Sequence, residues 1–148
     1  MNRDSINWFG PMPAVTTPFN ADKSVDEESF VANVKRLFDA GATGMVGAGC
    51  TGEFWALSWQ ERQNLARLAV ETCNGRGPVI IGTASIREEE VIEQITAAKE
   101  VGADAALVLP PYFAKVTGAE IIAHFEAIAD QSDLPVVLYN IPGNAGNA

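Results

Sequence analysis

Five short apolar runs recur along this chain about every thirty residues, with an amphipathic stretch between successive runs. That interval is the length of a βα unit, and it restricts the fold more than any other feature of the sequence. The runs cover residues 14–18, 44–47, 79–83, 106–109 and 136–139. They are apolar almost without interruption, as parallel strands covered on both faces must be. Helical patterns fill 26–40, 59–73, 87–101 and 118–130. In the first of these, Phe30, Val34, Leu37 and Phe38 form one stripe; in the third, Val91, Ile92, Ile95 and Ala98 do so.

Each helical pattern opens on a Ser or Thr followed three residues later by Glu: Ser24 and Glu27, Ser58 and Glu61, Ser85 and Glu88, Thr117 and Glu120. All are expected to be capping boxes, in which hydroxyl and carboxylate satisfy orphan N–H groups reciprocally. Gly41, Asn74 with Gly75, and Gly102 supply residues able to turn left-handed after a helix. The expectation is one parallel α/β domain over residues 1–148, with five strands, four helices and no internal linker. Two architectures accommodate it. A doubly wound, flavodoxin-like sheet is complete at this length and runs in the order 2-1-3-4-5. A (β/α)8 TIM barrel, about 250 residues when whole, would be partial, with its five strands in chain order. Periodicity alone does not separate them.

The formal net charge of −9 denies the chain the basic footprint that nucleic acid or an anionic membrane requires. No apolar run approaches the roughly 20 residues of a membrane span. Ile6, Trp8 and Phe9, interrupted by Asn7 and closed by Gly10 and Pro11, form no secretory core. A cytoplasmic location is expected. Cys50 and Cys73 lack metal-site spacing and there is a single His, so no metal or other cofactor is expected.

In both architectures function sits at the carboxyl ends of the strands. The second run leads into residues 47–53, where Gly49 and Gly52 let the backbone approach a ligand. Successive N–H groups around Cys50 and Thr51 offer a nest for a carboxylate, with the Thr51 hydroxyl as a further donor. From these residues alone, a strand-to-helix turn whose glycines serve only the backbone is the more economical reading. The segment has neither the Gly-Lys-Ser/Thr of a phosphate loop nor the glycine spacing of a dinucleotide fingerprint. Tyr139, ending the last run, is a phenol placed either to relay a proton into a pocket or to bond a neighbouring loop.

Taken in order, three groups of residues resemble motifs of the dihydrodipicolinate synthase/N-acetylneuraminate lyase family. They are Gly49, Cys50, Thr51, Gly52 and Glu53; Leu109, Pro110, Pro111 and Tyr112; and Tyr139, Asn140, Ile141 and Pro142. The segment 13–19 and the trio Leu57, Ser58 and Glu61 keep the same order and spacing. The resemblance implies a class I aldolase-type (β/α)8 barrel in which a lysine forms a Schiff base with pyruvate or another 2-oxo acid. It implies that Thr51 holds the substrate carboxylate, in a loop shaped by Gly49 and Gly52. It further implies that Tyr139 shuttles protons, with Cys50 beside it in the relay. A homo-oligomer is implied as well, tetrameric in full-length relatives, with contacts around Tyr112 and Phe113.

The family's lysine lies on the next strand, past residue 148. Lys23, Lys35, Lys99 and Lys115 fall in loops and predicted helices. The chain is therefore expected to be a truncated lyase, inactive alone and poorly stable because a partial barrel leaves strand edges unpaired. Cys50 stands where relatives carry a hydroxyl, Phe113 where the synthases carry a second tyrosine, and Asn144 where they carry an arginine for a second carboxylate. Asn lacks that charge and the bidentate fork. These departures point away from a dihydrodipicolinate synthase proper and towards a sugar-acid aldolase, a dehydratase or another divergent lyase. The non-catalytic alternative is a flavodoxin-like anion-binding or regulatory module.

Overall fold

The computed structural model describes residues 3–147. Its sheet has four parallel strands in chain order: β1 (Met45–Gly47), β2 (Val79–Gly82), β3 (Ala105–Val108) and β4 (Val136–Leu138). Met45 pairs with Val79, Ile81 with Ala106, and Leu107 with Val137. Between strands run α1 (Glu27–Asp39, before β1), α2 (Trp59–Cys73), α3 (Glu88–Glu100) and α4 (Gly118–Gln131). A short α5 (Pro142–Ala145) follows β4. Among the described residues no helix is long and apolar enough to cross a membrane.

The first expected strand, 14–18, is a strand only in embryo. Ala14 makes a single parallel bridge to Val46, with Val15 N–H donating to the Val46 carbonyl at 2.9 Å and Val46 N–H to the Pro13 carbonyl at 2.9 Å. Pairing stops there for two reasons. Pro13 has no N–H to give, and β1 ends at Gly47, where Ala48 turns away with φ 50°. Even so, the bridge settles the topology. In the flavodoxin order the 14–18 segment would separate β1 from β2; instead it lies on the far side of β1, which pairs with β2 directly. The flavodoxin-like alternative is thereby overturned.

Helices cover one face of the sheet. α1 packs on α2, α2 on α3 and α3 on α4, forming a single layer. The sheet residues that point into this layer, Met45, Val79, Ile81, Ala106 and Val108, bury against Phe30, Val34, Leu65, Val91, Ile95 and Ile128. The opposite face carries Val46, Ile80, Ala105, Leu107 and Val137, of which Ile80 and Ala105 are buried and the other three only partly so. Coverage on both faces, expected for every run, therefore fails at β4. It has β3 on one side and no neighbour on the other among the described residues, and Leu138 is 61% exposed.

Two of the four capping boxes form. Ser58 and Glu61 cap α2, and Thr117 and Glu120 cap α4, with side chain and backbone bonded in both directions. At α1 the cap is Asp26, which accepts from Ser29 N–H at 2.9 Å, while Ser24 donates its hydroxyl to Asp22 at 2.6 Å. At α3 the N-cap is Arg87, without a side-chain cap. Ser85 is buried at the strand end and donates to Glu90, and Glu88 is drawn instead to His124. A neighbour in the first turn of α3 and a tertiary partner on α4 have taken the two members of that expected box.

Candidate active site

The carboxyl ends of the strands gather a second, smaller apolar cluster. Phe54, Ala84 and Leu109 are buried in it, with Cys50, Tyr112, Tyr139 and Ile141 packed against them. Cys50 follows β1 and Tyr139 follows β4, so neighbouring positions in this cluster are separated by most of the chain. The two side chains come close enough for each to shift the other's titration. Burial pushes the Cys50 thiol above its ordinary range, and the Tyr139 hydroxyl, by favouring the thiolate, pulls partly back. Burial likewise raises the Tyr139 phenol, and the adjacent Cys50 adds to the rise. Both groups are therefore held in their neutral, proton-bearing forms near neutrality. That state suits a pair that passes protons rather than one that attacks as an anion.

The 49–53 loop is held by its own backbone. Gly52 N–H donates to the Gly49 carbonyl at 3.1 Å and Glu53 N–H to the Cys50 carbonyl at 3.0 Å. No acceptor among the described residues takes the Cys50 or Thr51 N–H. These two donors, together with the Thr51 hydroxyl on an exposed residue, can bind an anion. The glycines work differently from the expectation that they open the backbone to a ligand. The left-handed positions of the loop are Ala48 and Glu53. Gly52 is bare because it packs on the opening segment. A Cβ there would lie 3.1 Å from the Val15 carbonyl, and the buried Thr17 hydroxyl donates to the Gly52 carbonyl at 2.7 Å. Gly49 faces Val46 and Leu107.

Three further residues organise the site, and periodicity did not single them out. Arg62, on the buried side of α2, donates to the Ala84 carbonyl at 3.2 Å, to the Gly82 carbonyl at 3.1 Å and to Gln94, and lies 5.5 Å from the Phe54 ring centre. Its signal was a charge three and four residues before the core positions Leu65 and Ala66. His124 donates from Nε2 to the Leu109 carbonyl at 3.1 Å and sets Nδ1 3.3 Å from Glu88, which anchors the end of β3 to α3 and α4. Its signal was a polar ring four residues before buried Ile128. Asn147 donates to the Pro111 and Ala114 carbonyls at 2.7 Å each and accepts from Val116 N–H at 3.0 Å. It ties the loop after β3 to the end of α5, and nothing local marked it.

None of the lysines joins this cluster: Lys35 is on α1, Lys99 on α3 where it pairs with Asp133, and Lys23 and Lys115 are in loops. Among the described residues no group of three or more His, Cys, Asp or Glu side chains converges to hold a metal ion. Asn144 lies on α5 beside Cys50 and Tyr112. Phe113, with φ 72°, projects from the loop after β3 and is 94% exposed.

Residues 7–148 match the model of the Dihydrodipicolinate synthetase family. A 4-hydroxy-tetrahydrodipicolinate synthase of Rhizobium meliloti is 46% identical over 136 residues, spanning 92% of this chain and 46% of that protein. One from Methanoculleus marisnigri is 41% identical over 139 residues, 93% of this chain and 47% of its own length. Among solved structures, a chloride-inhibited dihydrodipicolinate synthase from Acinetobacter baumannii complexed with pyruvate superposes with TM-score 0.90 at 38% identity, over 93% of this chain and 47% of that one. A prophage protein of the dihydrodipicolinic acid synthase family from E. coli K12, in complex with pyruvate, gives TM-score 0.89 at 39% identity, over 95% and 47%. The chain thus spans about half the length of the relatives it matches. Its strand order, single helix layer and strand-end motifs agree with the match, and the chain belongs to the dihydrodipicolinate synthetase family.

Proposed function

We propose that these residues form the N-terminal part of one (β/α)8 domain, with 14–18 as its first strand, and that the whole is a lyase acting on pyruvate or another 2-oxo acid. The observation that carries this reading is the Cys50–Tyr139 contact at the mouth of the sheet, beside the uncommitted Cys50 and Thr51 N–H groups. The N–H pair and the Thr51 hydroxyl take the substrate carboxylate, with Gly49 and Gly52 shaping the loop. A lysine outside the four in this chain supplies the amine for the Schiff base. The protonated imine then accepts the electron pair of the adjacent bond as that bond breaks, the strategy open to a lysine nucleophile. Tyr139 moves the proton, and Cys50 orients its hydroxyl. Pyruvate bound to two similar proteins supports the substrate class. The exposed Phe113 ring supports a contact with a second copy in a homo-oligomer.

Titrating the 148-residue chain with pyruvate, followed by amide correlation spectra, tests this reading. The Cys50 and Thr51 amide signals should shift saturably. Borohydride added to the same sample should leave the mass unchanged, because no lysine stands at the site. Unmoved Cys50 and Thr51 signals, or an adduct on any of the four lysines, would overturn it.

A further inference from the structure

The segment that leaves β3 is not held by its own N–H groups. Pro110 and Pro111 carry none. Among the described residues, the N–H groups of Leu109, Tyr112 and Phe113 meet no backbone acceptor. The segment is therefore placed through its carbonyls. The Leu109 carbonyl accepts from His124 Nε2 at 3.1 Å, and the Pro111 carbonyl from Asn147 at 2.7 Å. Asn147 also reaches the Ala114 carbonyl at 2.7 Å, so it secures the loop beyond. His124 secures the point where the chain leaves the sheet.

His124 is buried, and its ring is held from two further sides. Phe125 meets it edge-on at 5.5 Å between centres, and Nδ1 lies 3.3 Å from the Glu88 carboxylate. Glu88 is the residue expected to complete a capping box with Ser85, yet α3 starts on Arg87 without a side-chain cap. The Glu88 carboxylate serves the ring instead. With Nδ1 turned to Glu88, Nε2 is the nitrogen left to donate to the carbonyl.

We infer that His124 is a positioning residue of the proposed lyase. Through the Leu109 carbonyl it seats Tyr112 against Phe54, in the cluster that holds Cys50 and Tyr139, and Glu88 aims its ring. The inference rests on the 2-oxo acid reading for the use of that cluster, and on the hydrogen bonds alone for the tether. Both residues between Leu109 and Tyr112 are proline, with φ fixed near about −65°. A displaced Leu109 therefore carries Tyr112 with it, and the edge contact at 6.0 Å between the Tyr112 and Phe54 ring centres is lost.

The Tyr112 phenol reports on this seat. Burial raises it, Arg62 pulls partly back and Glu90 adds to the rise. Neither His124 nor Glu88 is among those causes, so altering them moves the phenol only by moving Tyr112. In the 148-residue chain labelled at the tyrosine ζ carbon, the two tyrosines are followed as pH rises. His124→Leu removes the donor and should lower the Tyr112 midpoint towards that of a free phenol, about 10, with Tyr139 little changed. His124→Gln keeps an N–H for the carbonyl and should restore most of the parental midpoint. Glu88→Ala frees the ring and should give a fall between the two.

An unaltered Tyr112 midpoint in folded His124→Leu overturns the inference. So does an equal fall in the leucine and glutamine variants, which would mark His124 as packing only. If the leucine variant does not fold, Glu88→Ala decides: a parental Tyr112 midpoint there overturns the inference. Pyruvate is added to the parent chain in parallel. If it shifts the Cys50 and Thr51 amides while Tyr112 ignores His124, the tether is refuted and the lyase reading stands. If Tyr112 follows His124 and pyruvate moves nothing, the lyase reading fails and the tether stands.

Discussion

Replacing Thr17 with valine should destabilise the chain and loosen the candidate substrate loop through one lost hydrogen bond. Thr17 is buried, and its hydroxyl donates to the Gly52 carbonyl at 2.7 Å across 35 residues of sequence. Valine preserves the branching but removes the donor, so a buried carbonyl loses its partner, at a cost of about 1–3 kcal/mol. The incoming methyl also stands closer to that oxygen than a carbon tolerates, which moves the cost towards the upper end. Thr17→Ser is the control. It keeps the donor and loses one methyl, worth about 0.8 kcal/mol when buried. Urea unfolding monitored by circular dichroism, with an unchanged slope, gives the two differences directly. Amide exchange at Gly52 and Glu53, whose N–H groups close the loop, should accelerate in the valine variant and stay near the parent rate in the serine variant. If the two variants are equally destabilised, or the valine variant loses less than about 0.5 kcal/mol, the hydroxyl does not hold this loop.

Two other outcomes are expected. Tyr139→Phe removes the hydroxyl that favours the Cys50 thiolate, so the Cys50 thiol should rise further above its ordinary range and be alkylated more slowly by iodoacetamide at a given pH. A rate profile whose midpoint moves to lower pH contradicts this, and buried Cys73 serves as the internal control. Asn147→Asp cannot donate to the Pro111 and Ala114 carbonyls. It should lower stability by about 2 kcal/mol or more, counting roughly 1 kcal/mol per lost bond, and should expose the 111–116 loop to proteases; parental urea midpoint and cleavage pattern would refute this.

What the sequence determined by itself is what local physics controls. The alternation of strand and helix was legible because apolar spacing repeats within each element. The helix starts at Ser58 and Thr117 were legible because a capping box closes within three residues. The order of the motifs around Cys50, Tyr112 and Tyr139 was legible too, and it carried the family resemblance. The same local logic misplaced the caps at α1 and α3, where Asp22, Glu90 and His124 compete for the expected partners. The tertiary structure alone decided the rest. A single bridge at Ala14 distinguished chain order from the flavodoxin order. Packing across 89 positions of sequence brought the Cys50 thiol to the Tyr139 hydroxyl. Arg62, His124 and Asn147 acquired their places from carbonyls at least fifteen residues away. Such contacts depend on how strands lie side by side, and no pattern within a few residues of any one of them encodes that arrangement.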